Sequence, residues 1–223
     1  MDTAAVIVAA GRGTRADRGD DAPKQFRSLA GKPLIEWSLD AFVAAGCDHI
    51  VLVVPGAALD RARKLRYSGS VVFAAGGETR QDSVASGLEE VSAELVLVHD
   101  AARPFVTRGL ISEVLAELDV YDGSIPALPS DETVKDVRNQ EVFETIDRAN
   151  LWAVQTPQGF RTEVLRRAHE KARSEDFVGT DDAMLVERYG GRVKVIQGSR
   201  TNLKITHPED FQVAEALARV MQG

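Results

Sequence analysis

The sequence predicts an α/β fold with a mostly parallel central sheet, helices on both faces of that sheet, and a protruding β-hairpin arm. Two observations support this prediction. Short apolar, mostly β-branched runs alternate with amphipathic helical segments, as in strands joined by right-handed crossovers. The apolar runs are also continuous, as expected for strands that are covered on both faces.

The first half of the chain carries most of this pattern. Strands are predicted at residues 4–9, 50–54, 71–74 and 95–99, and helices at residues 34–45, 79–91 and 107–118. Each helical segment repeats apolar residues every three or four positions, which gives it one apolar face. Pro33 near the start of the first helix and Gly46 at its end are typical boundary residues.

The pattern changes after Leu128. Two short alternating stretches, residues 133–137 and 142–146, flank a polar turn and predict a β-hairpin. The hairpin has too few apolar residues to bury itself, so it packs either on a partner subunit or on its own domain. Helices at 162–172 and 181–189, strands at 193–197 and 203–206, and a last helix near Pro208 follow. We treat residues 1–223 as one domain with an arm at about 130–149.

Composition excludes several classes of protein. No apolar run of the 223 residues approaches the about 20 residues that span a bilayer, so no membrane partner is expected. The N-terminus lacks the basic region of a signal peptide. The single cysteine, Cys47, allows no disulfide framework, which favours the cytoplasm. A net charge of −7 argues against nucleic-acid binding but permits local basic clusters that hold small anions.

The strongest local signal is a glycine-rich loop after the first strand. Gly11 and Gly13 let backbone N–H groups approach a phosphate closely. Arg15 and Lys24 add positive charge where a triphosphate would lie. A plain strand-to-loop turn is one alternative. A dinucleotide fold is another, because residues 11–16 match G-x-G-x-x-A, but no helix follows at once and the second strand ends without a carboxylate.

Asp100 follows the fourth predicted strand, at the sheet edge where ligands bind in open α/β folds. A carboxylate beside a triphosphate is interpreted as a ligand for Mg²⁺. Arg103 is placed to hold a second phosphate, unless it forms only a local ion pair with Asp100. The neighbouring His99 is interpreted as a packed or hydrogen-bonded residue rather than a catalyst.

Three further segments carry weaker signals. Residues 76–83 combine two glycines, a credible N-cap at Thr79 and the Ser83 hydroxyl, which suits a cap or a nucleotide-binding loop. Lys204 interrupts a short apolar strand, which indicates an anion partner or an edge-strand lysine facing water. Thr180, Asp181 and Asp182 are interpreted as a helix cap with acids in the first turn.

Taken together, these elements resemble the 2-C-methyl-D-erythritol 4-phosphate cytidylyltransferases of the non-mevalonate isoprenoid pathway. The resemblance covers nearly the whole chain and rests on residues 9–15, 23–25, 76–80, 82–83, 98–104, 147–148, 156–158 and 203–206. It implies a Rossmann-like nucleotidyltransferase fold, CTP and a polyol phosphate as substrates, Mg²⁺ as cofactor, and a homodimer formed through the hairpin arm.

The resemblance also implies roles for individual residues. Arg15, Lys24, Arg148 and Lys204 are expected to be catalytic, and Asp100 is expected to hold the metal. The residues expected to bind the nucleotide are Ala9, Ala10, Gly11, Gly13, Arg15, Lys24, Gly77, Arg80, Ser83 and Asp100. The residues expected to bind the second substrate are Arg103, Thr133, Arg148, Thr156 and Lys204, with Thr133 and Arg148 coming from the arm of the other subunit.

The implied reaction joins a cytidylyl group to the phosphate of 2-C-methyl-D-erythritol 4-phosphate and releases pyrophosphate. The substrate phosphate is already largely a dianion at neutral pH, because its second pKa is about 6, so no general base is expected. Catalysis should then depend on positioning and charge neutralisation. Two alternatives stay open: ribitol 5-phosphate as the substrate, and a nucleotide-binding regulatory protein without catalysis.

Overall fold

The computed structural model describes residues 2–11, 24–47, 49–65, 67 and 69–222. These residues form twelve strands and seven α-helices. The strands are β1 (Thr3–Val8), β2 (Ser28–Leu29), β3 (Lys32–Pro33), β4 (His49–Val54), β5 (Val71–Ala75), β6 (Leu95–Asp100), β7 (Gly123–Pro129), β8 (Val134–Arg138), β9 (Glu141–Ile146), β10 (Trp152–Val154), β11 (Gln158–Arg161) and β12 (Val193–Gln197). The helices are α1 (Leu34–Ala44), α2 (Leu59–Arg63), α3 (Arg80–Glu89), α4 (Arg108–Ala116), α5 (Thr162–Ser174), α6 (Asp182–Arg188) and α7 (Pro208–Gln222).

Eight strands form one mixed sheet in the order β10-β7-β11-β6-β1-β4-β5, with β12 also paired to β7. The four adjacent strands β6, β1, β4 and β5 run parallel, whereas β11 is antiparallel to β6 and to β7. The prediction of a mostly parallel centre is confirmed. Because parallel strands end at the same edge, the carboxyl ends of β1, β4, β5 and β6 meet there.

Alternate residues of β1 face opposite helical layers. Val6 packs with Val84 of α3 and Leu165 of α5 in one buried cluster. The next residue, Ile7, packs with Phe42 of α1 in a second buried cluster. All of these side chains are fully buried, and burial of each contributes about 1.5–3 kcal/mol to folding. Helices therefore cover both faces of the sheet, as the continuous apolar strands predicted.

A third cluster holds the segment that precedes α7. Ile205 packs with Phe105 and with Phe211 of α7. The predicted strand at residues 203–206 is wrong, because this segment joins no sheet and its Ile205 backbone N–H donates to the Ala102 carbonyl oxygen at 2.8 Å. It lies as an irregular segment beside the loop that follows β6. This path brings Lys204 next to Asp100.

The sequence pattern missed three strands of the sheet, β7, β10 and β11. Strand β7 contains Pro126 and ends at Pro129, and proline is unusual inside a sheet because it donates no hydrogen bond. Strand β11 is short and begins with the polar residue Gln158. Tertiary pairing with β6, rather than local pattern, makes it a strand.

Strands β8 and β9 pair only with each other, in a two-stranded sheet apart from the main one. This is the hairpin expected at residues 133–146. Its apolar side chains face outwards, with Val142 61% and Phe143 59% exposed. None of the helices formed by the described residues is both long and apolar enough to cross a membrane.

Candidate active site

A cleft of about 410 Å³ opens where the four parallel strands end. Its walls are formed by residues 8–11, 24, 25, 34, 77–80, 83, 100–102 and 204–206. Among the residues proposed to bind the nucleotide, Ala9, Ala10, Gly11, Lys24, Gly77, Arg80, Ser83 and Asp100 all line this cleft, as does Lys204. Gly13 and Arg15 lie outside the described residues, so their roles stay predictions.

The first wall follows β1. The Ala9 backbone N–H donates to the Val53 carbonyl oxygen at 2.7 Å, which continues the sheet by one residue. A Cβ added at Gly11 would meet no atom of the described residues within 4 Å. Ala10 lies against Gly76 so closely that a Cβ on Gly76 would be 2.2 Å from the Ala10 Cβ. Gly76 is therefore required for the two loops to meet.

The second wall is the loop that opens α3. Thr79 caps the helix by accepting a hydrogen bond from the Asp82 backbone N–H at 3.0 Å, and the Asp82 carboxylate accepts one from the Thr79 N–H. The Ser83 hydroxyl donates to the Thr79 carbonyl oxygen at 2.9 Å and accepts from the Gly77 N–H at 3.2 Å. The predicted cap is confirmed. Ser83 and Gly77 shape the loop together, and their contact with a base stays a prediction.

Asp100 is the acidic centre of the cleft and is 8% exposed. Its Oδ1 accepts from Arg80 Nε at 3.0 Å, and its Oδ2 accepts from Lys204 Nζ at 2.6 Å. Burial opposes ionisation of this carboxyl, but the charges of Arg80 and Lys204 outweigh burial and hold the pKa of Asp100 well below its usual range. Asp100 is therefore charged at neutral pH. Its ion pairs are with these two residues rather than with Arg103.

Arg80 is shared between two carboxylates. Its Nη1 donates to Asp182 Oδ2 at 2.7 Å, and Asp182 Oδ1 lies 3.1 Å from His169 Nε2. Although burial opposes ionisation, Arg80 and His169 lower the pKa of Asp182. The cap interpretation was right for Asp181, whose carboxylate accepts from the Met184 N–H at 2.9 Å. It did not foresee that Asp182 is buried.

Behind Asp100, a chain of hydrogen bonds joins two loops. The Asp100 backbone N–H donates to Thr156 Oγ1 at 3.1 Å, and Thr156 Oγ1 lies 3.1 Å from His99 Nδ1. His99 Nε2 lies 3.1 Å from the Arg103 carbonyl oxygen, which only accepts hydrogen bonds. His99 Nε2 is thus the protonated nitrogen, and the Thr156 hydroxyl donates to Nδ1. His99 is a hydrogen-bonded residue, as the sequence indicated.

Lys24 reaches the cleft from the short helical turn that precedes β2. Its ammonium donates to the carbonyl oxygen of Ile205, next to Lys204 in the chain. Lys24 therefore contacts the same segment, residues 203–206, that carries Lys204, although the two lysines are 180 positions apart in sequence.

The family model described as 2-C-methyl-D-erythritol 4-phosphate cytidylyltransferase matches residues 3–220. The chain belongs to this family. Proteins of the same name from Aquifex aeolicus and Thermus thermophilus are 42% and 43% identical to it, over 96% and 99% of both chains. The crystal structure of the cytidylyltransferase from Thermus thermophilus matches with a TM-score of 0.85 at 39% identity, over 98% of this chain and 100% of that one. The chain is thus a nucleotidyltransferase, and the regulatory alternative is not supported.

Four residues proposed for the second substrate of this cytidylyltransferase family do not line the cleft that the described residues form. Thr156 is 5% exposed, and its hydroxyl serves Asp100 and His99. Arg103 donates to the carbonyl oxygens of Asn202 at 2.8 Å and Val154 at 3.3 Å. Burial lowers the pKa of Arg103, and the Asp100 charge opposes this effect. The other two residues, Thr133 and Arg148, lie exposed on either side of the β8–β9 hairpin, where Arg148 donates to the Asp131 carbonyl oxygen.

Sequence reasoning also missed members of this site. Asp182 and His169 extend the charged network behind Arg80, but an acidic residue in a first helical turn has a sufficient local explanation. Asn202 supports two site residues, since its carbonyl oxygen accepts from Arg103 and its Nδ2 donates to the Thr156 carbonyl oxygen at 2.9 Å. The one sequence feature that could have indicated a role for Asn202 is its position two residues before Lys204.

Proposed function

We propose that this cleft transfers the cytidylyl group of CTP to 2-C-methyl-D-erythritol 4-phosphate, which gives 4-diphosphocytidyl-2-C-methyl-D-erythritol and pyrophosphate. The observation that carries this proposal is the convergence of Lys24, Arg80 and Lys204 on one cleft that also contains the charged Asp100. Two polyanionic reactants can meet only where their charges are neutralised. Membership of the cytidylyltransferase family supplies the identity of the two substrates.

The nucleotide binds with its phosphates along residues 9–11. The space that the described residues leave at Gly11 lets a phosphate approach the backbone closely, and Lys24 adds a positive charge in the same cleft. Arg15 and Gly13 are proposed to complete this loop. The cytosine lies on the opposite wall, against Gly77 and Ser83.

A divalent cation, Mg²⁺, fits Asp100. Mg²⁺ is usually held by one or two carboxylates together with substrate phosphate oxygens rather than by a cage of protein ligands. Asp100 is a carboxylate of this kind, since it is charged and lies in the wall of the cleft where the CTP phosphates are proposed to bind. Asp100 would hold the ion against the CTP phosphates, where the ion would neutralise negative charge.

The second substrate binds by its phosphate beside Lys204. The Lys204 side chain is 44% exposed, so its ammonium has room to turn from Asp100 to a substrate phosphate. Arg103 and Thr156 lie behind the phosphate position and hold the neighbouring segments in place, through the Asn202 carbonyl oxygen and the Asp100 N–H respectively. Arg103 is a charged donor that binds only carbonyl oxygens among its described hydrogen-bond partners, and an incoming phosphate would provide the missing negative charge.

The reaction is a direct displacement. An oxygen of the substrate phosphate attacks the α-phosphorus of CTP, and the bond to the pyrophosphate oxygen breaks on the opposite side. No proton has to be removed first, since the attacking phosphate is largely a dianion at neutral pH, with a second pKa of about 6. The side chains Arg15, Lys24, Arg148 and Lys204 hold the two phosphates in line and neutralise their repulsion.

Two copies of the chain are proposed to form a homodimer through the arm. Val137 is 54%, Val142 61% and Phe143 59% exposed, and a second copy packed on the hairpin would cover apolar surface of this kind. Thr133 and Arg148 at the arm base would then reach the substrate phosphate of the other subunit. With a single cysteine in the sequence, we also keep a cytoplasmic location as part of the proposal.

Pyrophosphate release tests the activity. The purified protein is incubated with CTP, Mg²⁺ and either 2-C-methyl-D-erythritol 4-phosphate or ribitol 5-phosphate. We expect release with the methylerythritol phosphate alone. Release with ribitol 5-phosphate alone would preserve the chemistry but reject the substrate, and release with neither would reject the proposed function.

A further inference from the structure

A row of charged side chains runs from the cleft into the interior behind it. Arg80 bridges two carboxylates through different nitrogens: Nε donates to Asp100 at 3.0 Å and Nη1 donates to Asp182 at 2.7 Å. The other oxygen of Asp182 lies 3.1 Å from His169 Nε2. Asp182 is 1% exposed and does not line the cleft, so a ligand bound there would not touch it.

Stability alone does not explain this arrangement. The desolvation of buried charges offsets much of their attraction, and apolar residues of similar size often serve a fold as well or better. What a second carboxylate supplies is orientation. The guanidinium group is planar and its donors point in fixed directions, so anchors on Nε and Nη1 together fix the plane of Arg80.

We propose that Asp182 is a positioning residue that acts through Arg80 to keep part of the Asp100 carboxylate available for a divalent cation. Because Asp182 occupies Nη1, Arg80 gives Asp100 only its Nε hydrogen bond. Asp100 Oδ2 then faces Lys204, which is 44% exposed and can leave when a cation and phosphates arrive. This inference rests on the proposed function, in which Asp100 holds the cation with CTP.

Without the Asp182 carboxylate, Arg80 has only Asp100 left as an ionic partner among the described residues. The guanidinium would then turn its planar fork towards Asp100 and form two parallel hydrogen bonds, the favoured arrangement of an arginine with a single carboxylate. The guanidinium of Arg80 would then cover both carboxylate oxygens of Asp100, and it would not leave easily. The divalent ion would therefore compete poorly for Asp100.

The test is calorimetric titration of CTP into the full chain, with Mg²⁺ and again with a chelator, so that no turnover is needed. For the unsubstituted protein, Mg²⁺ should raise CTP affinity about tenfold or more, which corresponds to about 1.4 kcal/mol. In Asp182→Asn this gain should fall below about threefold, while the affinity without Mg²⁺ changes by less than about threefold. Asp182→Glu, which keeps a carboxylate, should restore most of the gain.

Asp181→Asn is the matched control. It removes the same charge from the neighbouring position of the same helix, and asparagine is as good an N-cap as aspartate. Asp181 contacts the Met184 N–H and Gln158 Nε2, neither of which touches Arg80. Asp181→Asn should keep the full Mg²⁺ gain. If Asp182→Asn shows no cooperative thermal unfolding, Asp182→Ser is used in its place. Serine leaves room for a water between Arg80 and His169.

The outcomes separate the inference from the function on which it rests. If Asp182→Asn keeps the full Mg²⁺ gain, the inference is wrong and the role of Asp100 stands. If affinity falls equally with and without Mg²⁺, Asp182 has only a structural role, which also overturns the inference. If the unsubstituted protein shows no Mg²⁺ gain, the proposed metal role of Asp100 fails and the inference about Asp182 fails with it.

Discussion

Acid should destabilise the folded chain through His99, a residue that the reaction itself does not use. His99 is fully buried, and its two ring nitrogens are committed to the neutral form, since Nε2 donates to the Arg103 carbonyl oxygen and Nδ1 accepts from the Thr156 hydroxyl. Phe42 covers one side of the ring, with the ring centroids 5.1 Å apart. Burial lowers the pKa of His99 to about 4, against its ordinary value of 6.5.

The sign and size of the effect follow from this difference. Between these two pKa values the unfolded chain binds a proton at this residue and the folded chain does not, so stability falls as pH falls through the window. Each pKa unit corresponds to about 1.4 kcal/mol. At pH 4.5 the free energy of unfolding should therefore be lower than at pH 7 by about 2 kcal/mol on account of His99 alone.

Urea unfolding at the two pH values measures this loss. His99→Gln removes the titrating group, so its loss between about pH 7 and pH 4.5 should be smaller by about 2 kcal/mol than that of the unsubstituted protein. His207→Gln, at an exposed position, is the control and should keep the full loss. The remaining titratable groups are common to the compared proteins, so the difference between their pH dependences reports mainly on the replaced histidine. Parallel pH dependence of His99→Gln and the unsubstituted protein would refute the reasoning.

Three further predictions concern the loops and the arm. Lys24→Ala should lower kcat on the order of a hundredfold while the thermal unfolding midpoint moves by a few degrees at most, because its charge serves the reactants; equal losses of activity and stability would contradict this. Gly76→Ala places a methyl group 2.2 Å from the Ala10 Cβ, so it should cost about 1–3 kcal/mol in urea unfolding and raise the KM for CTP. Gly56→Ala is its control, because a methyl group there meets no described atom within 4 Å, and an unchanged KM in Gly76→Ala would argue against contact between the two loops. Phe143→Ser should convert dimer to monomer in light scattering and lower activity in parallel, whereas a fully active monomer would exclude a shared site.

The sequence predicted the fold best where local pattern and tertiary pairing agree. The parallel strands β1, β4 and β6 are buried on both faces, so their apolar runs are visible in the sequence. Strand β7 is different, because Pro126 and Pro129 argue against a strand in the sequence. Pairing with β10 and β12 nevertheless stabilises it. The opposite error occurred at residues 203–206, where an apolar run suggested a strand but packing of Ile205 against α7 decides the conformation.

Some residues of the candidate site could likewise be predicted from local sequence, and others could not. Asp100 was predictable because it ends a buried strand at the sheet edge where ligands bind. Lys204 was predictable because a lysine among apolar residues needs a negative partner. Asp182 was not, since its burial depends on how α3, α5 and α6 meet behind the cleft, and no local pattern encodes such a meeting. For Thr156, resemblance suggested a direct substrate contact, whereas the structure places its hydroxyl against Asp100 and His99.

The central claim is that the substrate phosphate displaces pyrophosphate directly, without an enzyme nucleophile. The stereochemistry at the α-phosphorus tests this claim, with CTP that carries a single sulfur in one configuration on its α-phosphate. A single in-line displacement predicts a product of inverted configuration. Retention of configuration would require two successive displacements through a cytidylyl-enzyme intermediate, and that result would contradict the account.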